Sequence, residues 1–282
     1  MSINPVDLEI IRNALVAAAE EMSVTVWRTS RSSVVREILD YSTCVFDHEG
    51  KSVAQAARIP VHLNSMSACL DDLLAGPLPL EQWHEGDVVL TNDPYAGGQH
   101  LCDWLTFAPV FVDGERVAIA GIIVHHLDVG GGAPGSYDPR ATEIFQEGIR
   151  IPPMKVVKAG VRNDEVLALL LRNTREPDKV GGDFSSQLAA LAIGAERIRD
   201  IARRYGSARL AEASGAIRAQ SEAAMRAAIA SLPGAGARDA AEPRGVRCST
   251  DCYEFEDFVD DDGIATGPIR IHAVVRVRGD AV

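Results

Sequence analysis

The sequence predicts a mixed α/β protein in which helices flank mixed β-sheets. Three observations predict this class: a helical run near the amino terminus, strand-like runs between residues 42 and 126, and an Ala-rich helical stretch at residues 185–232. Hydrophobic residues make up 46% of the 282-residue chain, which is enough to bury a substantial core. The length favours one large domain or two ordinary ones.

The amino-terminal run has the signals of an amphipathic helix. Asn4 is a typical N-cap, and Pro5 suits the first helical position because its missing N–H would have no partner there. Apolar residues follow at helical spacing, at Leu8, Ile11, Leu15 and Ala18. We therefore expect a helix over residues 5–26.

The next part of the chain predicts strands. Residues 42–53 have the pattern of a hairpin, and residues 88–91 form a further apolar run. A second hairpin pairs residues 109–112 with residues 117–126 across a turn at Asp113-Gly114-Glu115. Because sequential strands usually pair, we expect the polar residues that flank these strands to be neighbours.

The carboxyl-terminal part changes from helix to strand. Residues 185–232 predict two long helices with an interruption at Tyr205-Gly206. A Pro- and Gly-containing linker follows at residues 233–245, and residues 253–259 and 269–277 have the pattern of strands.

Composition excludes several classes of partner and location. A net charge of −12 and a pI of about 5.0 argue against nucleic-acid or anionic-membrane binding, because both surfaces would repel the chain. The five cysteines are odd in number and scattered, which favours a reducing compartment. The sequence shows no export signal, and its longest apolar run, residues 117–124, is too short to span a bilayer. We expect a cytoplasmic protein.

Ligand-type side chains cluster at the ends of two predicted strands. His100 and Asp103 follow two glycines in an H-x-x-D arrangement, and His125 ends the strand that begins near residue 117. Two imidazoles and one carboxylate suit a divalent cation, with manganese, iron or zinc as the candidates. We therefore predict that these three residues bind a metal, although any single histidine is more often a hydrogen-bonded core or loop residue.

Two further residues lie beside the predicted ligands. His125 and His126 are consecutive, so only one of them can face the site if the strand continues through both. We expect His126 to be a supporting residue, and Asp128 to orient a ligand imidazole by accepting its second N–H.

Three residues are weaker candidates. His62 is a candidate acid, base or substrate contact, with a structural histidine as the alternative. Asp93 either positions a substrate carbonyl or amide, or forms an Asx turn before Pro94. Cys102 is a candidate ligand or nucleophile, and otherwise a small apolar filler.

Direct nucleotide binding by this chain is not predicted. Residues 130–135 fit the letters of a GxGxxG motif, but Pro134 lies inside them and no clear helix follows. The chain also lacks a GxxxxGK[ST] phosphate loop.

Long motifs resemble those of one protein family, the hydantoinase B/oxoprolinase family. It contains the B subunits of ATP-dependent N-methylhydantoinases, the C-terminal part of 5-oxoprolinases, and related subunits of acetone and acetophenone carboxylases. The resemblance extends over nearly the whole chain, and its main segments are Asp40-Tyr41-Ser42 and residues 59–66, 92–103, 125–135 and 141–153.

The resemblance implies a division of labour. A hydantoinase A-type partner subunit binds ATP and phosphorylates an amide or ketone oxygen, and the B-type subunit completes ring opening or carboxylation at a metal site. In the carboxylase branch the metal is manganese, and the residues here that match its ligands are His100, Asp103 and His125. The implied assembly is a hetero-oligomer, with ATP bound by the partner.

The family's B subunits are about twice as long as this chain. We therefore expect residues 1–240 to form a main domain with the metal site, and residues 241–282 to begin a second, β-rich region that is truncated, so that the C-terminal half of the family is lacking. The favoured function is metal-assisted hydrolytic opening of a cyclic amide of the hydantoin or 5-oxoproline type. The alternatives are an acetone/acetophenone-type carboxylase subunit, and a catalytically silent fragment or assembly subunit.

Overall fold

The computed structural model describes residues 3–232, 247–249, 252–263 and 267–281. The chain divides into two compact units, Met1–Ile217 and Arg218–Val282. The helices are α1 (Pro5–Thr29), α2 (His62–Ala75), α3 (Asp164–Arg172), α4 (Pro177–Tyr205) and α5 (Ser207–Ala230). The strands are β1 (Tyr41–Asp47), β2 (Ser52–Ala57), β3 (Val88–Thr91), β4 (Asp103–Val112), β5 (Glu115–His125), β6 (Met154–Lys158), β7 (Val161–Arg162), β8 (Arg247–Ser249), β9 (Cys252–Val259) and β10 (Ile269–Arg276).

The first unit is built on a seven-stranded antiparallel sheet with the order β2-β1-β5-β4-β3-β6-β7. Both predicted hairpins are confirmed, as β1–β2 and β4–β5. Side chains alternate between the two faces of the sheet. One face packs against α1 and α4, and the other against α2, so the sheet lies between helical layers.

The helices follow the signals in the sequence. The Asn4 side chain accepts a hydrogen bond from the Val6 N–H at 2.9 Å, and α1 extends three residues beyond the predicted end. The predicted long helices are confirmed, although α4 begins earlier than expected, at Pro177. They are separated at Gly206, whose φ of +89° favours glycine.

The second unit contains a three-stranded sheet with the order β10-β9-β8. The predicted strands near residues 253–259 and 269–277 are confirmed as β9 and β10. One face of this pair carries the ion pairs Arg270–Glu256 and His272–Glu254.

The predicted linker at residues 233–245 and the predicted boundary after residue 240 lie outside the described residues. The division at that boundary therefore stays a prediction. Within the described residues, no helix combines the length and the apolar character that a bilayer span requires.

Gly121 tests the packing at the centre of the sheet. A Cβ atom at Gly121 would lie 2.8 Å from Cε2 of Phe46 and 3.1 Å from Cδ1 of Phe107, and both rings are fully buried. Overpacking of this kind costs about 1–3 kcal/mol, so we expect Gly121→Val to lower the free energy of unfolding by that amount. Urea unfolding measures the change.

The matched control is Gly215→Ala on α5, where an added Cβ meets no atom within 4 Å. This variant gains helix propensity, so we expect it to raise the free energy of unfolding by up to about 1 kcal/mol. Equal effects of the two substitutions would contradict the packing at Gly121.

Candidate metal centre

The three predicted ligands lie together at one end of the central hairpin. Asp103 is the first residue of β4 and His125 the last residue of β5, and the two are paired directly across the ladder. His100 lies in the loop that precedes β4. The Nδ1 atom of His125 is 3.5 Å from Oδ1 of Asp103, and Nδ1 of His100 is 3.6 Å from Oδ2 of Asp103. The candidate ligand atoms of all three residues lie within 4.8 Å of one another.

These residues hold buried polar atoms without a hydrogen-bond partner. They are Nδ1 of His100, Oδ1 of Asp103 and Nδ1 of His125. An unsatisfied buried polar atom costs about 1–3 kcal/mol, and such atoms are rare in folded proteins. Nitrogen and oxygen donors clustered in this way fit a divalent cation of the borderline type, such as manganese, iron or zinc.

The charge around His125 favours a positive species. Burial of this imidazole disfavours its charged form, but the neighbouring Asp103 and Cys102 outweigh burial and raise the pKa of His125 to about 10. A divalent cation would meet the same electrostatic demand, and it would compete with that proton for the ring nitrogen.

The sheet separates His125 from His126. His125 shares the face of the sheet that packs on α2, whereas His126 points to the α4 side, where its Nε2 lies 2.9 Å from Oε1 of Gln187. The His126 ring also packs on Trp104, with ring centroids 4.1 Å apart. Burial lowers the pKa of His126 to about 4. Only one of the two histidines, His125, faces the site, as expected. His126 contacts Gln187 on α4 instead.

Asp128 does not orient an imidazole, which corrects the prediction. Its carboxylate accepts hydrogen bonds from the N–H groups of Gly130, Gly135 and Arg175, at 2.9–3.0 Å, and from the Arg175 guanidinium at 3.1 Å. Burial alone would raise the pKa of Asp128, but these amides and the guanidinium hold it below its usual value. The prediction failed because it equated closeness to the ligands in sequence with contact.

Asp128 and Arg175 instead hold the glycine-rich loop, residues 130–135, in place through hydrogen bonds. The Arg175 guanidinium donates to the carbonyl oxygens of Gly130, Gly131 and Ala133 at 2.7–3.0 Å. Gly130 has a φ of +92°, and a Cβ atom there would lie 2.5 Å from the carbonyl oxygen of Asn173. Close packing therefore explains the glycine at position 130.

A cavity of about 430 Å³ opens beside the candidate ligands. This volume is in the range of small-molecule sites. The His100 side chain is 40% exposed, whereas the side chains of Asp103 and His125 are almost fully buried. The Tyr137 ring stacks on His125 with centroids 6.4 Å apart. The lining residues are His100, Leu101, Cys102, Ser136, Tyr137, Asp138, Pro139 and Glu147.

His62 is the first residue of α2, and its side chain lies next to Ser42 and Asp40. Its Nδ1 is 3.0 Å from Oγ of Ser42, and its Nε2 is 3.6 Å from Oδ1 of Asp40. Burial lowers the pKa of His62, although Asp103 and Asp40 oppose that effect. The side chain is 2% exposed and does not line the cavity, so these contacts favour the structural alternative over a substrate contact.

Asp93 and Cys102 also have defined contacts. The Asp93 carboxylate accepts from the Tyr95 N–H at 3.1 Å, which is the turn alternative, and pairs with Arg150 at 2.8 Å. Asp93 is not part of the cavity wall. Cys102 is buried in an apolar cluster and also lines the cavity.

Sequence reasoning gave no role to Asn92, which holds the ligand loop. Its side chain donates to the carbonyl oxygens of Leu101 and Ile149, at 2.7 and 2.9 Å, and accepts from the Ile151 N–H at 2.6 Å. The available sequence signal was an asparagine directly after the predicted strand at residues 88–91, and the structure shows that its amide is fully buried.

Comparison with known proteins finds relatives along the whole chain. The family model described as Hydantoinase B/oxoprolinase matches residues 4–282. Caprolactamase subunit beta from Pseudomonas jessenii is 33% identical over 279 residues, which cover 99% of this chain and 45% of that subunit. 5-oxoprolinase 1 from Arabidopsis thaliana is 32% identical over 275 residues, which cover 92% of this chain and 21% of that protein. The chain spans less than half the length of these relatives.

Two solved structures share the fold. The crystal structure of ATP-dependent caprolactamase from Pseudomonas jessenii matches with a TM-score of 0.87 and 32% identity, over 99% of this chain and 45% of that chain. Nucleotide-free acetone carboxylase matches with a TM-score of 0.79 and 19% identity, over 99% of this chain and 36% of that chain. These matches confirm the predicted mixed α/β fold, and the second concerns the fold alone.

The hydrogen bonds and ion pair between Asp128 and Arg175 predict that the free energy of unfolding depends on pH. The pKa of Asp128 is lowered in the folded state. The ionised carboxylate therefore stabilises the fold in full above its ordinary pKa of 3.8, and this stabilisation is lost as the pH falls through the pKa of the folded state. We expect Asp128→Asn to lower the free energy of unfolding at pH 7 by about 1–3 kcal/mol, and by less below pH 3.8. Urea unfolding at both pH values measures this.

The control is Asp164→Asn, which removes an exposed carboxylate paired with Arg162. Exposed pairs contribute about 0–1 kcal/mol, so this variant should unfold much like the wild type at pH 7. If Asp128→Asn changes the free energy of unfolding by the same amount at both pH values, the charged interaction between Asp128 and Arg175 is refuted.

Proposed function

Because the chain belongs to the hydantoinase B/oxoprolinase family, we propose that it is the metal-binding part of a B-type subunit that opens cyclic amides by hydrolysis. The observation that carries this proposal is the cluster of His100, Asp103 and His125, whose buried polar atoms lack partners beside a cavity of about 430 Å³. The expected substrates are cyclic amides of the hydantoin or 5-oxoproline type.

Hydrolysis is favoured over carboxylation by the nature of the relatives. Two relatives above 30% identity, caprolactamase subunit beta and 5-oxoprolinase 1, are named for caprolactam and 5-oxoproline, and both compounds are cyclic amides. The match to acetone carboxylase is 19% identical and supports only a common fold. A carboxylase subunit therefore remains the second candidate, and the requirement for bicarbonate separates the two.

The proposed cofactor is a divalent cation, with manganese first and iron or zinc as alternatives. His100, Asp103 and His125 would hold it, because two imidazoles and a carboxylate suit each of these metals. When bound, such a cation polarises a substrate oxygen and lowers the pKa of water. The protein orients its donors through the paired strands β4 and β5, and the Tyr137 ring stacks on His125.

We propose that ATP acts through a hydantoinase A-type partner subunit in a hetero-oligomer. The partner would phosphorylate the amide oxygen, and this chain would receive the activated ring. Two facts support this: the caprolactamase relative is named a subunit beta of an ATP-dependent enzyme, and this sequence has no phosphate-binding loop.

The buried free cysteines Cys44, Cys69 and Cys102 fit a cytoplasmic location.

Metal content of the purified chain tests the centre. We expect about one divalent cation per chain, because three protein ligands with open positions are typical of a catalytic site. The double variant His100→Ala/His125→Ala should lose at least about nine-tenths of it, since two donors are removed. The control His84→Ala changes a 70% exposed histidine outside the cluster and should keep the wild-type content. Elemental analysis that finds no metal in folded wild-type chain contradicts the proposal.

Turnover tests the reaction. With the A-type partner, ATP and a cyclic amide, we expect ring opening that does not require bicarbonate. Asp103→Ala should reduce turnover by at least about a hundredfold, because the carboxylate lies between both imidazoles. Product formation is followed by chromatography. Full turnover by Asp103→Ala would exclude the centre from the chemistry and favour a catalytically silent subunit.

A further inference from the structure

We propose that Tyr137 recognises the substrate ring and selects flat cyclic amides, such as hydantoins, over puckered lactams. This inference rests on the proposed function, because it concerns the substrate of that same cavity. It narrows the substrate class from cyclic amides in general to rings that are nearly planar. Tyr137 lies between residues 125–135 and 141–153, two segments that resemble the family, and sequence reasoning gave it no role.

The Tyr137 ring forms part of the cavity wall beside the candidate metal centre. It stacks on the His125 ring, with an interplanar angle of 29° and centroids 6.4 Å apart, which is a usual separation for paired aromatic rings. Tyr137 nevertheless stays 69% exposed. Much of its apolar surface is therefore still in contact with water and is available to a ligand that enters the cavity.

The backbone before Tyr137 is held in a conformation that fixes the position of this ring. Ser136 has a φ of +59°, a left-handed value that is strained for a residue other than glycine. Its hydroxyl donates to the carbonyl oxygen of Gly130 and accepts from the N–H of Val129, both at 2.8 Å. Strained backbone that persists because neighbouring groups hold it is frequent at ligand-binding sites. The loop therefore places Tyr137 in the cavity wall before a substrate arrives.

A flat ring makes the most contact with the face of a tyrosine. The amide C–N bond has partial double-bond character, so the atoms around it lie in one plane. A hydantoin ring contains several such bonds and is nearly planar, and all its atoms can lie about 3.5–4.0 Å from an aromatic face at once. The CH₂ groups of a saturated lactam pucker out of the plane and hold part of the ring away from that face.

The rest of the cavity wall suits a neutral ring with several N–H groups. Asp138 and Glu147 both line the cavity, whereas no lysine or arginine of the described residues does so. Among the described residues, none pairs with the Glu147 carboxylate. Carboxylates accept hydrogen bonds from N–H groups, and a hydantoin offers more of these groups than a lactam does. This second observation favours the same class of substrate as the Tyr137 face.

Selectivity between two neutral amides of equal ring size tests the assignment. The chain with its A-type partner, Mn²⁺ and ATP is supplied with hydantoin or with pyrrolidin-2-one, and kcat/KM is measured for each. We expect the wild type to favour hydantoin. Tyr137→Leu keeps an apolar side chain but removes the flat face, so it should lower the ratio of the two kcat/KM values by about threefold to tenfold. Its metal content should match that of the wild type, because Tyr137 is not a candidate ligand.

Two variants and a binding measurement serve as controls. Tyr137→Phe keeps the ring and should change the ratio by less than about twofold. Tyr95→Leu makes the same change at a 77% exposed tyrosine outside the cavity wall, and it should also leave the ratio unchanged. Saturation-transfer NMR measures hydantoin binding to the full chain without ATP or turnover, and Tyr137→Leu should weaken this binding. Thermal unfolding establishes that each variant is folded, and Tyr137→Ala serves if Tyr137→Leu is not.

The outcomes separate this inference from the proposed function. Either a wild-type ratio or wild-type hydantoin binding in folded Tyr137→Leu would overturn the role of Tyr137 while leaving cyclic-amide hydrolysis intact. A wild type that favours pyrrolidin-2-one would also overturn it, as would an equal fall of the ratio in Tyr95→Leu. If the wild-type complex opens neither ring, the proposed function is overturned together with this inference.

Discussion

The direct pairing of Asp103 with His125 across β4 and β5 is the constraint on which the site depends. Because side chains alternate, this register sends both residues to the α2 face and sends His126 to the α4 face. A slip of one residue would reverse the faces and bury the ligand side chains against α4. The fully buried middle of β5 opposes such a slip, since its apolar residues fill both cores. Sheet register therefore determines the chemistry available at the sheet end.

Two loops complete the site, and each is held by a buried polar side chain. Asn92 binds the segment before His100 to the chain near Ile149, and Asp128 binds the glycine-rich loop to Arg175. Both side chains have their hydrogen-bonding atoms satisfied by backbone groups, unlike the candidate ligands. This contrast has physical meaning, because supporting residues rigidify a site whereas ligand atoms must stay free for an ion.

Local signals made the helices and hairpins predictable. Asn4 and Pro5 mark a helix start through groups that lie next to each other in sequence, and the turn at Asp113-Gly114-Glu115 fixes the pairing of its own strands. The grouping of the three candidate ligands followed from that pairing. The partners of Asp128 were not predictable, because they depend on Arg175, which lies 47 residues away in the sequence. Local pattern carries no information about such contacts.

A cation bound at this centre would also couple the stability of the fold to cation binding. His100, Asp103 and His125 together leave three buried polar atoms without hydrogen bonds, and each such atom costs about 1–3 kcal/mol. A bound cation would satisfy all three atoms in the folded chain and would find no assembled site in the unfolded chain. By mass action, the free energy of unfolding then rises with cation concentration above the dissociation constant. Since all three residues belong to the unit Met1–Ile217, this coupling would act within that unit, whether or not a partner subunit supplies the activated substrate.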